Sequence, residues 1–257
     1  MIIEKIEKLI RANSECPKIF VKSHVLLASF PKSGNTWFRF VTSSILSQNL
    51  ENEQIDFYRI RKFSPEIRGN RRLDKAASCE QAPTFLKTHF YNVRGFRKYQ
   101  AVVLYRNPLK TFQSYYNYMS NEQSKIYANF DEFINSSRVG VDAWNYFHKT
   151  WLKHPNALFI SYDELIHNQF NGLNTIYEKL GYSISKTILM YALEASSREK
   201  MALLEKKVGD PSKKNKNYEF VGFREDRYGI ENQAVTSKLI ARTSQVLMAL
   251  EERKLKI

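Results

Sequence analysis

The stretch FPKSGNTWFRF, residues 30–40, decides how the rest of the chain is read. It follows the apolar run HVLLAS (24–29), which stops at Pro31 and has the compact character of a buried strand. Beyond it, Trp37, Phe40, Val41, Ser44, Ile45 and Gln48 recur at the spacing of one helix face. The stretch is therefore the end of a strand, a short loop and the start of a helix. A helix start presents unpaired backbone N–H groups and the positive end of the helix dipole, so such a loop attracts an anion before any side chain is considered. Gly34 allows close approach to the backbone, Lys32 adds a cation, and Ser33 and Thr36 add hydroxyl donors. A Walker A loop places its lysine after the second glycine. Here Lys32 precedes Gly34, so that motif is absent, and taken alone the loop does not separate a phosphate site from an ordinary strand-to-helix turn.

Outward from this unit the same alternation recurs. TFLKTHF (84–90) and QAVVLYRN (100–107) read as strands, the second halted by Pro108 and followed by the helical pattern LKTFQSYYNYMS (109–120). NALFISYDEL (156–165) reads as strand and turn, and NGLNTIYEKLGY (171–182) as a helix ending at Gly181. Ile3, Ile6, Leu9 and Ile10 predict a short amphipathic helix over 2–12, and Val235 to Leu250 carry the stripe of a C-terminal helix over 234–253. Residues 50–80 read as basic loops with one short helix, and 210–220 as a turn-rich basic segment. Four buried-looking strands, alternating with helices along the chain, predict an α/β fold: one domain, 1–257, with a central parallel sheet flanked by helices on both faces. No internal repeat interrupts it.

The composition narrows the partners without choosing one. In 257 residues, 40 Lys and Arg stand against 26 Asp and Glu, a formal charge of +14, so the field favours nucleic acid, acidic membranes or phosphate-bearing small molecules. The basic runs RIRKF, RGNRR and KKNKN read first as solvated faces. Two cysteines, Cys16 and Cys79, are too few for a disulfide framework, which favours a reducing compartment. The N-terminal MIIEKIEKLIRANSE alternates charge with aliphatics, unlike a signal peptide, and no window approaches a membrane span. The expectation is a soluble, cytoplasmic protein.

FPKSGNTW resembles the phosphosulfate-binding loop of the sulfotransferase family, and further segments resemble that family in the same order along the chain. LKTHF (86–90) is similar to the strand segment carrying the family's catalytic histidine, here His89. YRNPLKTFQSYY (105–116) is similar to its 3′-phosphate motif, with Arg106 and Ser114 eight apart. LFISYDEL (158–165) resembles the segment whose tyrosine, here Tyr162, meets the adenine; SSREKM (196–201) aligns Ser196 and Met201 with nucleoside contacts. FREDRYG (223–229) resembles the R-K-G-x-x-G loop and keeps Arg224 and Gly229, but it has Glu225 for the lysine and Asp226 for the first glycine. In SSREKM, Arg198 replaces the aromatic that stacks on adenine, leaving that stacking to Trp37 and the guanidinium plane.

The resemblance implies a P-loop-like nucleotide-binding fold and transfer of a sulfuryl group from 3′-phosphoadenosine 5′-phosphosulfate to a hydroxyl or amine of a small organic acceptor, without a metal. It implies that His89 acts as general base, with Lys32 and Lys87 neutralising developing charge. It assigns donor binding to Lys32, Ser33, Gly34, Asn35, Thr36, Trp37, Arg106, Ser114, Tyr162, Ser196, Met201, Arg224 and Gly229. His24, His148, His154 and His167 are left as structural. Residues 50–80, 117–145 and 205–222 would line the acceptor pocket. The expected partners are that acceptor alone, with no nucleic acid and no membrane, for a monomer or homodimer. Two other readings stay open: a P-loop-like small-molecule kinase, which would need magnesium and ATP, and a non-catalytic basic nucleotide- or nucleic-acid-binding protein, whose binding would fall steeply with salt.

Overall fold

A computed structural model describes residues 23–67, 73, 76–122, 127–211 and 232–257. Strands β1 (His24–Ser29), β2 (Thr84–Thr88), β3 (Ala101–Tyr105) and β4 (Ala157–Ser161) form one parallel sheet in the order β2-β1-β3-β4. The register aligns Ala28 with Thr88, Ser29 with Leu104 and Tyr105 with Ser161, so the four strands end at one edge. The chain departs from β1 to β2 on one side and to β3 on the other. The carboxyl edge between β1 and β3 is thus the switch point at which ligands of open α/β sheets collect.

The helices are α1 (Asn35–Gln48), α2 (Ile60–Phe63), α3 (Pro108–Asn117), α4 (Phe130–Asn135), α5 (Val141–Trp151), α6 (Tyr162–His167), α7 (Gln169–Lys179), α8 (Lys186–Ala195), α9 (Arg198–Val208) and α10 (Gln233–Arg253). Alternate strand residues serve opposite faces of the sheet. Val25, Leu27, Phe85, Val102 and Leu104 pack with Phe38, Val41 and Ile45 of α1 and with Ile176 and Leu189 of α7 and α8. Leu26, Ala28, Val103 and Tyr105 pack on the other face with Phe112, Trp144, Phe147 and Leu250 of α3, α5 and α10. Both faces are covered, which explains the unbroken apolar strands.

Several local readings change. In LFISYDEL the strand stops at Ser161, whose hydroxyl accepts from the Glu164 N–H at 3.4 Å, and Tyr162 opens α6 rather than a turn. An acidic first turn with a serine cap outweighs the apolar pattern there. Helix α1 is buried almost all round, Ser43 and Ser47 included, because it lies between the sheet and α8. Within 117–145, expected to line the acceptor pocket, α4 and the start of α5 place Phe133, Val141 and Trp144 in the core. Residues 64–67, read as loop, add a one-residue bridge between Glu66 and Lys87 along the outer side of β2. The helix expected over 2–12 lies outside the described residues.

His148 of α5 is fully buried among Trp144, Phe147 and Phe30. Its Nδ1 lies 2.9 Å from the Trp144 carbonyl, which only accepts, so Nδ1 carries the proton. Nε2 meets no protein donor among the described residues. Burial lowers the pKa of His148 from 6.5 to about 3. Below pH 6.5 the unfolded chain binds a proton that the folded chain refuses, so this stability is whole above pH 6.5 and is lost as pH falls towards 3. His148→Phe should therefore reduce the stability lost between pH 7.5 and pH 5 by about 2 kcal/mol in urea denaturation. Equal losses for variant and wild type would contradict the burial argument.

Candidate active site

The loop after β1 carries two left-handed residues, Lys32 (φ 70°) and Gly34 (φ 90°). Gly34 is the N-cap of α1 and brings no capping side chain, so the first-turn N–H groups of α1 are left for another acceptor. No larger residue fits at 34: a Cβ there would stand 2.1 Å from the Tyr162 ring. Asn35 ties the loop to the strand it left, its Nδ2 donating to Ser29 Oγ at 2.9 Å. Ser33 is 0% exposed, and its hydroxyl has no protein partner among the described residues. The Lys32 ammonium lies over the Tyr118 ring at 4.8 Å, in the π-helical turn Tyr118–Glu122 that follows α3. An uncapped helix start, a buried unpartnered hydroxyl, a lysine and a glycine floor suit a multiply charged phosphate-type anion.

Arg106 leaves β3 beside this loop. Its Nη1 is 3.5 Å from the Lys32 carbonyl, its guanidinium carbon lies 5.6 Å from the Tyr162 ring centre, and its Nε is 3.9 Å from Asp163. Asp163 also accepts from the Asn107 N–H at 2.9 Å and from Lys110 at 3.2 Å, so one carboxylate braces the whole β3–α3 turn. Pro108 opens α3 and the Asn107 side chain caps it, accepting from the Lys110 N–H. Ser114 lies buried further along the same helix. The Tyr162 hydroxyl is pushed up by burial, with Arg106 pulling it down, Asp163 up and Arg198 down. Arg198 is therefore within electrostatic reach of Tyr162. Trp37 meets Tyr162 edge-on at 6.2 Å.

His89 follows β2 opposite the end of β1. Its Nδ1 lies 2.6 Å from the Ser29 carbonyl, so Nδ1 holds the hydrogen and Nε2 presents the lone pair. The pKa of His89 is lowered to about 3, first by burial and next by Lys87, while the Ser29 carbonyl and Glu66 raise it and Arg39 lowers it. Lys87 is neither solvated nor bare, since its Nζ is 3.4 Å from the Glu66 carboxylate.

The carboxyl edge thus gathers Lys32 to Trp37, Lys87, His89, Arg106 and Tyr162. Ser196 caps the end of α8, fully buried, with its hydroxyl unpartnered among the described residues, and Met201 of α9 joins the core cluster on which Trp37 packs. Arg224 and Gly229 lie outside the described residues. The reading of motifs did not find Glu66, Arg39, Asp163 or Tyr118. Arg39, Tyr118 and Asp163 lie inside stretches already quoted and Glu66 does not, but the contacts of all four cross between elements distant in sequence. Among the described residues no helix is long and apolar enough to cross a membrane.

Residues 22–227 match the family model described as the sulfotransferase domain. The chain is 29% identical to mouse sulfotransferase 6B1 over 196 residues, 68% of this chain and 63% of the relative. It is 26% identical to the human protein of that name over 174 residues, 63% of this chain and 56% of the relative. The chain therefore spans less than two thirds of the length of these curated relatives. Among solved structures, retinol dehydratase in complex with androsterone and the inactive cofactor PAP superposes with a TM-score of 0.66 at 14% identity, covering 97% of this chain and 88% of that one. A mouse sulfotransferase complexed with PAP gives 0.61 at 16% identity, with 96% and 92% covered. These likenesses establish the fold, and with the match of the family model over most of its length, the chain belongs to the sulfotransferase domain family.

Proposed function

We propose that the protein transfers a sulfuryl group from 3′-phosphoadenosine 5′-phosphosulfate to a hydroxyl or amine of a small organic acceptor. The observation that carries this reading is the orientation of His89: with Nδ1 committed to the Ser29 carbonyl, Nε2 is the basic atom, on the sheet edge shared with the Lys32 loop. When bound, the donor supplies a sulfuryl group whose bond to a phosphate oxygen breaks as the acceptor bonds to sulfur. His89 takes the acceptor's proton on Nε2. Lys32 and Lys87 neutralise the charge that grows on the departing oxygen and the transferred group, and α1 contributes its first-turn N–H groups.

Arg106, with Ser114 two turns along α3, is the grip for a 3′-phosphate, where a fixed guanidinium suits a planar pair of oxygens. Tyr162 and Trp37 supply the aromatic surface for adenine, and Ser196 and Met201 face the nucleoside from α8 and α9. A histidine with a depressed pKa is already unprotonated at neutral pH, and an anion arriving beside Lys87 offsets that cation and raises the imidazole's basicity as it is needed. Retinol dehydratase, which shares the fold, has been crystallised with androsterone and with retinol, so compact apolar alcohols are the first acceptors to try, together with simple phenols.

Two measurements test the reading. His89→Ala should lower the yield of sulfated product at least about 100-fold by mass spectrometry, while PAP binding stays near wild type. Equal yields would refute the base assignment. Gly34→Ala combines a positive φ with a Cβ on the Tyr162 ring, so calorimetry should show PAP affinity reduced at least about tenfold, along with a lower melting temperature. Unchanged PAP affinity would place the nucleotide elsewhere.

A further inference from the structure

Residues 64–67 belong to no named strand, yet they are pinned on two sides. The Ser64 carbonyl accepts from Arg39 of α1 at 3.1 Å, and the Ser64 hydroxyl donates to the Phe85 carbonyl at 2.7 Å. The Lys87 N–H donates to the Pro65 carbonyl and the Ile67 N–H to the Lys87 carbonyl, both at 2.8 Å. This bridge sets Glu66 directly opposite Lys87, and the carboxylate reaches 3.4 Å from the ammonium with the two side chains 23% and 16% exposed. Residues opposed across a sheet share a face, and Lys87 shares its own with His89 two positions on.

A carboxylate here is costly for a protein that binds a polyanion. It competes for one of the cations, and it repels the ligand. The backbone and serine bonds that hold the segment do not involve its carboxylate, and a glutamine would leave them intact. With both side chains mostly covered, the lost hydration of two charges offsets much of their attraction, so the pair is weak evidence for a stabilising role. The groups facing the His89 imidazole explain it better. Lys87 and Arg39 both oppose a positive imidazole, the Ser29 carbonyl is occupied with the Nδ1 hydrogen, and Glu66 is the one carboxylate among the described residues that favours it.

We propose that Glu66 is a positioning residue for sulfuryl transfer: it holds the Lys87 ammonium beside His89 and stabilises the imidazolium formed when His89 takes the acceptor's proton. The proposal rests on the reading under "Proposed function" and adds to it a residue that acts through Lys87 and His89. Its signature is a pair of opposite changes. Without the charge, the imidazolium faces two cations and turnover falls, while a polyanion loses its repulsion and binds more tightly.

The test compares wild type, Glu66→Gln and Glu66→Asp, with PAP binding by calorimetry and turnover of a simple phenol at saturating donor. Glu66→Gln should lower kcat about tenfold, part of what a general base contributes, and tighten PAP binding about threefold. Glu66→Asp, which restores the charge on a shorter stem, should recover part of kcat. A loss of kcat together with weaker PAP binding would make Glu66 merely structural, and unchanged values would remove it from the reaction; either overturns the proposal. If wild type itself forms no sulfated product, the transferase reading fails, and that result is distinct from normal wild-type turnover with an unaffected variant.

Discussion

The site depends on the way α1 begins. A helix that starts on a residue without a capping side chain leaves its first N–H groups unpaid, and here that residue is Gly34 in the left-handed region. Lys32 also takes a positive φ, at a cost of roughly 1–2 kcal/mol for an L-residue. The loop holds this conformation because its surroundings over-determine it: Asn35 reaches back to Ser29, and the Tyr162 ring occupies the space that a side chain at 34 would need. The glycine is thus required twice, by its backbone angle and by the aromatic ring packed against it. Since Tyr162 opens α6 directly after β4, the loop and the far end of the sheet form one packed unit.

Charge around that unit is arranged rather than abundant. The chain carries +14, but the cations at the sheet edge are each braced. Asp163 holds Arg106, Lys110 and the Asn107 N–H together, Glu66 holds Lys87, and Lys32 lies over the Tyr118 ring. Much of the attraction in these partly covered pairs is offset by lost hydration, so their main effect is to fix where long side chains stand. A cation already in place loses less side-chain freedom on binding.

Two histidines show how one rule gives different outcomes. In His89 and His148 alike, a backbone carbonyl takes the Nδ1 hydrogen and burial lowers the pKa. His148 turns its remaining nitrogen into an aromatic core, where it only penalises acid conditions. His89 stands at the sheet edge with lysine, glutamate and arginine around it. The difference is one of place in the fold, and nothing in the residues next to His148 marks it as inert.

The sequence alone was enough for the alternation of strand and helix, the glycine-led helix start after the loop at 30–34 and the order of the motifs, because each rests on near neighbours: apolar periodicity, a proline stop, a glycine before a helix. It did not reach the Glu66–Lys87 bridge, the bracing of Arg106 by Asp163 or the burial of Phe133, Val141 and Trp144, and it took the start of α6 for a turn. Those depend on which elements lie side by side. Register, tautomer and charge pairing arise between segments 25 or 60 residues apart, as Arg39 and Ser64 or Ser29 and His89 are, and only folding brings their atoms within a few ångströms.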